Sequence, residues 1–354
     1  MFSIDAGVLQ KCVRFARSAV ARKSTMPILT AVHVVEGLKS VSFTGTDLDI
    51  HATATGPVDG SAGSAGWCVS ADALANVAGA LSGDVVMDAR DSVLHITAGR
   101  SKFKLSLPVD EYPKTPDVPA DVGSVDGDAA LALVAAMRGV RYAASEDETR
   151  YVLNGVLVVS DTIVATDGHR MAFGRADVAV PGAVIVPNRA VDVLSGMGGL
   201  SRVAFAPGRI VAGGSVDGVS MTVMARLIDG KFPDYKQVIP KDAGGTTITV
   251  QRKALLDSLK RVRVVGGDGA VIINASGAEL AVSHSSADHG EASDALECSV
   301  KGDAIRAGYN GGYLVDALAA AGGDVVELHM ADALTPVIVR AGGVITGLVM
   351  PMRI

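Results

Sequence analysis

The sequence holds only three cysteines, Cys12, Cys68 and Cys298, and they lie far apart. Neither a disulfide framework nor a cysteine metal cluster can be built from them, which suits a reducing compartment. Aromatic residues are scarce, so the apolar content comes chiefly from Val, Ala and Leu. Gly and Asp break up that content, and no run reaches the roughly 20 apolar residues that a membrane helix needs. Nor does the opening stretch read as a basic-then-apolar leader, because Asp5, Lys11 and Arg14 interrupt it. Composition thus argues against a membrane protein, a disordered chain and a secreted stapled scaffold, and a cytoplasmic location is expected. Basic excess is lacking too: 32 Lys and Arg against 38 Asp and Glu leave a net charge of −6, which leans mildly away from nucleic acid.

Enzyme signatures are also missing. Gly230-Lys231 is followed by Phe232, so no phosphate-binding Gly-x-x-x-x-Gly-Lys-Ser/Thr loop forms there. The Gly- and Ser-rich stretch 60–66 has no nucleophile elbow and reads as a flexible loop. His284 and His289 have neither helical zinc spacing nor a nearby cysteine. Asp47 and Asp49 admit a metal reading, but a turn plus an outward charge fits them better.

What is present is a repeat. Three segments each read as a short amphipathic helix, a glycine stop and a strand: 70–89, 187–206 and 311–330. Their glycines, Gly83, Gly199 and Gly323, stand 116 and 124 residues apart, close to one third of the 354-residue chain. A second helix type opens each third around Leu9, Leu131 and Leu255. Between the helices lie β-branched runs at 41–43, 94–96, 157–159, 162–164 and 271–273. The expected fold is α+β, with three repeated domains of helices and antiparallel sheets spanning 1–116, 117–241 and 242–354. The breaks fall at the punctuated stretches 113–119 and 241–245.

Charge is distributed unevenly. From Ala6 to Val35 there are five basic residues (Lys11, Arg14, Arg17, Arg22 and Lys23) and no acidic one. Residues 251–265 carry Arg252, Lys253, Lys260, Arg261 and Arg263 against Asp257 alone, and the middle third has Arg138 and Arg141. Lys11, Arg14 and Arg17 share one helix face, leaving Val13, Phe15 and Ala16 for a sheet. Matched basic faces attract phosphate locally even on an acidic protein, because screening acts over about 8 Å. Conversely, Asp288, Glu291, Asp294 and Glu297 form an acidic series, facing in sign the basic strand residues Arg100, Lys102 and Lys104. Complementary charge in different thirds of one chain is what head-to-tail self-association would use.

The string Thr166-Asp167-Gly168-His169-Arg170-Met171 invites an acid–base reading through Asp167 and His169. No nucleophile or second carboxylate accompanies it, and Asp-Gly is a tight-turn signal. The stronger reading is a turn that exposes polar side chains beside an apolar groove.

That string, with 151–155, 226–235 and the terminal Met350-Pro351-Met352-Arg353-Ile354, resembles the bacterial DNA polymerase III β subunit family, the sliding clamps. Met26 to Leu29, Thr46 to Leu48 and Gly99 to Phe103 extend the resemblance over the whole chain. It implies a three-domain protomer that dimerises head to tail into a ring, encircles duplex DNA without reading its sequence, and uses no catalytic residue and no cofactor. It also implies a replicative polymerase, a clamp loader and other partners that dock a short peptide into a hydrophobic pocket. Carried over by position, that pocket would be Leu153, Thr166, Gly168, His169, Arg170, Met171, Pro240, Val337, Leu348, Met350, Pro351 and Met352. His169 and Arg170 would bond the peptide at the rim, and the methionines would adapt to varied side chains. DNA would meet Arg14, Arg17, Arg22, Lys23, Arg138, Arg141 and Arg261. The dimer interface would join Arg100, Lys102, Phe103 and Lys104 to Val264, Val265, Glu291 and Asp294. Val152 stands where the family commonly has an aromatic, and Ile354 where it commonly ends in Leu.

Overall fold

The computed structural model describes residues 1–60, 63, 66–108, 111–117, 123–176, 180, 182–240, 244–266, 269–286, 289–343 and 345–354. Asp288 and residues 241–243 of the second expected break lie outside this set, as do 118 and 119 of the first. The helices fall where periodicity places them. Those opening each third are α1 (Ala6–Ser18), α3 (Gly127–Val140) and α5 (Arg252–Val262); the second series is α2 (Ala71–Gly79), α4 (Asn188–Ser195) and α6 (Gly311–Ala321). Asp5 starts α1 by accepting the Gly7 and Val8 N–H groups at 2.8 and 3.1 Å, and Asn310 does the same for α6. The expected glycine stops need one refinement. Only α6 ends directly on a left-handed glycine, Gly322; Gly83 and Gly199 take positive φ a few residues beyond their helices.

The chain forms two compact units. The first comprises residues 1–134, 178–181 and 189–227. It holds a four-stranded sheet (Phe2–Asp5, Asp84–Arg90, Val93–Ala98, Ser101–Ser106, in spatial order) and an eight-stranded one. The order of the second is Trp67–Ser70, Ala31–Glu36, Ser40–Thr46, Ile50–Pro57, Val219–Arg226, Arg209–Val216, Leu200–Ala206 and Gly123–Asp126. Its centre joins the first and middle thirds of the sequence, with Ile50 opposite Ala225 and Ala54 opposite Met221. Helix α1 lies on this sheet through Leu9, Cys12, Val13 and Ala16, all buried. The approach is close: a Cβ on Gly45 would sit 1.9 Å from the Ala16 carbonyl oxygen. Burial raises the Cys12 and Cys68 thiols to about 12 and about 11, so both stay protonated at neutral pH.

The second unit comprises 135–177, 182–188 and 228–354. Its nine-stranded sheet is ordered Ala183–Pro187, Gly155–Val159, Thr162–Thr166, Arg170–Arg175, Thr346–Val349, Val337–Ala341, Val325–Met330, Thr246–Gln251 and Ser299–Lys301. A five-stranded sheet runs Gly290–Glu297, Glu279–Ser286, Val271–Ser276, Ile305–Tyr309, Pro351–Met352. Again one sheet joins two thirds of the sequence, here through Arg170–Arg175 against Thr346–Val349. All the pairings in both units are antiparallel. The third-residue acidic series is corrected by this geometry. On a strand, side chains alternate, so Glu291 and Glu297 share one face while Asp294 takes the other.

Burial pushes His33 and His51 below the ordinary histidine range; for His51 the nearby Asp47 opposes this but does not outweigh it. The unfolded chain takes up these protons near pH 6.5 while the folded chain still refuses them, so stability falls as pH drops below about 6.5. The melting temperature should be lower at about pH 5.5 than at about pH 7.5, and the difference should shrink in His33→Gln and His51→Gln. A pH-independent melting temperature over that window would contradict the assignment.

Candidate functional site

The Thr166–Arg170 turn is a closed hydrogen-bond system. Asp167 Oδ1 accepts the N–H groups of His169 and Arg170 at 2.8 and 2.9 Å, and the Thr166 hydroxyl donates to the Arg170 carbonyl at 2.7 Å. The Gly168 N–H donates to Thr166 Oγ1 at 3.1 Å. Gly168 takes φ +89°, a left-handed conformation that favours glycine. Asp167 therefore works as a turn cap, which settles the acid–base alternative against it. The turn is tied to the last strand by the Met350 N–H, which donates to the His169 carbonyl at 2.9 Å.

Arg170, expected at the rim as a peptide contact, is already engaged. Its Nε donates to Asp167 Oδ2 at 2.9 Å and its Nη1 to Asp316 Oδ2 at 2.6 Å. Its guanidinium lies 4.3 Å from the Tyr313 ring centre and 5.7 Å from that of Tyr142. Burial pushes the Tyr142 hydroxyl well above its usual range. Arg170 is thus a brace holding the turn against α6, while exposed His169 is the polar group left at the surface.

Beneath the turn lies an apolar cluster of Leu157, Val164, Met171, Ile185, Phe232, Ile338 and Leu348, ringed by half-buried Val152, Leu153, Ile228, Tyr235 and Ile239. The residues carried over by position divide by depth. Met171 and Leu348 are 2% exposed or less and form floor, not wall, whereas Val337, expected with them, packs in the core on the other face of the sheet with Val339 and Val349. Leu153, Thr166, Pro240 and Pro351 are half-buried; Gly168, His169, Met350 and Met352 reach the surface. Sequence reasoning missed Tyr142, Tyr313, Asp316 and Arg150, whose Nη1 donates to the Asp167 carbonyl at 3.1 Å. The three-residue spacing of Tyr313 and Asp316 on one helix face was the available signal.

The basic residues are of two kinds. Arg17 pairs with Asp72, Arg141 with Glu146 and Arg261 with Asp294. Lys11, on the same face as Arg17, pairs with Asp217 at 2.6 Å. Arg14, Arg22, Lys23 and Arg138 are exposed, with no ion pair among the described residues. The Arg261–Asp294 pair joins two residues expected on different surfaces, and the Arg261 hydrogen bond holds the Asp294 carboxyl below its usual range. Surface ion pairs contribute only about 0–1 kcal/mol each, and the Arg17–Asp72 pair, with both side chains more than half exposed, is held most loosely of the three.

Among the described residues, two of the edge strands carry opposite charge. Ser101–Ser106 borders the four-stranded sheet with Lys102 and Lys104 exposed, and Gly290–Glu297 borders the five-stranded sheet with Glu291 and Glu297 exposed. Arg100 is exposed beside the first edge, and Phe103 is half-buried in it. Val264 is 83% exposed in the turn after α5, and Val265 is half-buried.

Three family models cover nearly the whole chain: DNA polymerase III beta subunit N-terminal domain over residues 1–116, central domain over 130–234 and C-terminal domain over 236–353. The chain is 28% identical over 371 residues to the beta sliding clamp of Pseudomonas aeruginosa, covering 100% of both. It is 27% identical to that of Caulobacter vibrioides, covering 95% of both. A crystal structure of the Pseudomonas aeruginosa DNA polymerase III subunit beta superimposes with TM-score 0.86 at 26% identity over 100% of each chain. A Pseudomonas aeruginosa sliding clamp bound to griselimycin matches with TM-score 0.86 at 27% identity, over 100% of this chain and 99% of that one.

Asp167→Ala leaves two backbone N–H groups and the Arg170 Nε without their acceptor. Denaturant unfolding should show a loss of about 1–3 kcal/mol, with Asp167→Asn losing less because it keeps one oxygen. Unchanged unfolding of Asp167→Ala would contradict the capping role.

Proposed function

Because this chain belongs to the DNA polymerase III beta subunit family, we propose that the turn at Thr166–Arg170 and the exposed end of its last strands form its partner-docking pocket. The chain is a DNA polymerase processivity factor, not an enzyme: a homodimeric ring that encircles duplex DNA without sequence preference and tethers the polymerase and other clamp-binding proteins. One observation supports the pocket above the rest: the Met350 N–H bond to the His169 carbonyl ties the end of the chain to the turn, and Leu348, two residues earlier, lies in the apolar cluster. Leu153, Pro240, Met350, Pro351 and Met352 supply adaptable apolar walls over Met171 and Leu348, while Val337 lies beneath the sheet and does not line the pocket. Thr166 and Gly168 shape the rim, and His169 offers it a polar group.

Tethering by enclosure changes what DNA contacts must do. A ring stays on DNA because it is closed, so each phosphate contact can be weak and sequence-blind, and firm contacts would slow sliding. Arg14, Arg22, Lys23 and Arg138 are our first-rank DNA contacts, with Arg17, Arg141 and Arg261 recruited from their ion pairs. For ring closure, the basic edge at Arg100–Lys104 with Phe103 would meet the acidic edge at Glu291 with Val264 and Val265 of a second protomer. Asp294 would act there through Arg261, which it already holds. The repeats are placed at 1–116, 117–241 and 242–354. Among the described residues no helix is long and apolar enough to cross a membrane; a cytoplasmic location is proposed from the role on DNA.

Two measurements test this reading. Sedimentation should give 72.0 kDa, twice the 36.0 kDa chain mass. Lys102→Glu with Lys104→Glu should release monomer, and a protomer carrying Glu291→Lys with Glu297→Lys should restore dimers by pairing with it. A monomeric wild type at micromolar concentration would contradict the ring. In primer extension with polymerase and loader, Leu153→Ala with Met350→Ala should shorten products and, because the loader is expected to dock at the same pocket, weaken loading as well; full-length products would contradict the pocket.

A further inference from the structure

The Thr166–Arg170 turn has a copy in the first unit. The Thr46 hydroxyl donates to the Ile50 carbonyl at 2.7 Å, and the Leu48 N–H donates to Thr46 Oγ1 at 2.9 Å. Asp47 Oδ1 accepts the N–H groups of Asp49 and Ile50 at 3.1 and 2.7 Å. Bond for bond, this is the network of Thr166, Asp167, Gly168, His169 and Arg170. The seam is copied as well: the Arg226 N–H donates to the Asp49 carbonyl at 2.9 Å, as the Met350 N–H does to His169.

The side chains are not copied. Leu48 occupies the place of Gly168 at φ +82°, yet is 45% exposed. A left-handed leucine costs about 1–2 kcal/mol, which partial burial does little to offset. Strand register sets Arg209 directly opposite Arg226, with Val211, Met224 and His51 in the next row on the same face. Like charges opposed on neighbouring strands are unfavourable unless something lies between them. Arg226 has Asp49 at 3.5 Å and Arg189 has Asp47 at 2.6 Å, whereas Arg209 has Met224 Sδ at 3.2 Å and no carboxylate among the described residues. His51, 6% exposed, keeps a buried Nδ1 without a hydrogen-bond partner. Three guanidiniums thus face two carboxylates, and the surplus charge sits on Arg209.

We propose that this row is a second docking site, which takes an extended peptide through one acidic side chain. Arg209 anchors the carboxylate, Arg226 flanks it, and Leu48 supplies the apolar lip. The site differs in chemistry from the second-unit pocket, where exposed methionines and His169 replace the paired arginines, so the two select different peptides. A guanidinium pair matches a carboxylate in charge and in its capacity for bidentate bonding.

The methionines provide a readout for each unit. The intact protein, labelled with carbon-13 at its methionine methyls, is titrated with acetyl-Leu-Glu-Leu-Gly-amide and with its Gln counterpart. The Met224 methyl should shift saturably with the Glu peptide and bind the Gln peptide about tenfold more weakly, as loss of a charge-assisted pair requires. Arg209→Gln should abolish the difference. Leu48→Gly should weaken binding while leaving the melting temperature equal or higher, since it relieves the left-handed strain; a merely structural leucine would lower it. The proposal is overturned if Met224 does not shift, if both peptides bind alike, or if the preference for Glu survives Arg209→Gln.

Discussion

Backbone pairing between strands that lie far apart in the chain is the constraint from which the functional surfaces follow. Ile50–Pro57 joins Val219–Arg226, and Arg170–Arg175 joins Thr346–Val349, so each large sheet is shared by consecutive thirds of the sequence. Each seam begins at a Thr-Asp turn in which a carbonyl accepts a backbone N–H at the end of the partner strand: Asp49 from Arg226, its last residue, and His169 from Met350, the residue just beyond. In the second unit that bond ties Met350 to the turn, while Pro351 and Met352 pair with Tyr309 and Gly308.

The seam also explains why the turn is polar yet holds no catalytic group. Asp167 spends one oxygen on two backbone N–H groups and the other on Arg170, which spends its remaining reach on Asp316 and Tyr313. Such a network fixes a shape and leaves little capacity for chemistry. A docking protein that serves several partners needs a rigid rim around an adaptable interior, and in the proposed pocket methionines beside a braced turn meet that need.

Much of this was legible in the residues. The two helix series at a common spacing disclosed the triplication, and the β-branched runs became strands where they stood. On the first opening helix, where Lys11, Arg14 and Arg17 recur every three residues, Arg14 and Arg17 are exposed and Lys11 is half-buried. Three features were not legible, each for the same reason: the partner lies far away in sequence. The sheet seams join strands more than 160 residues apart, and nothing local marks which edges meet. Arg170 reads as a free cation until Asp316 is beside it. Asp294 reads as one of an acidic series until strand alternation turns it toward Arg261. The net charge of −6 likewise concealed a division between basic helix faces and one acidic edge.

The central claim is that this chain holds DNA by enclosing it, with its contacts too weak to hold DNA alone. The direct measurement is retention on DNA of changing topology. Loaded by its clamp loader onto a nicked circular duplex, the protein should co-elute with the circle in gel filtration at elevated salt. Cutting the circle once with a restriction enzyme should release it within the same run. Protein that remains bound after the cut, with free ends available, would show that contact and not closure holds it, and would contradict the account.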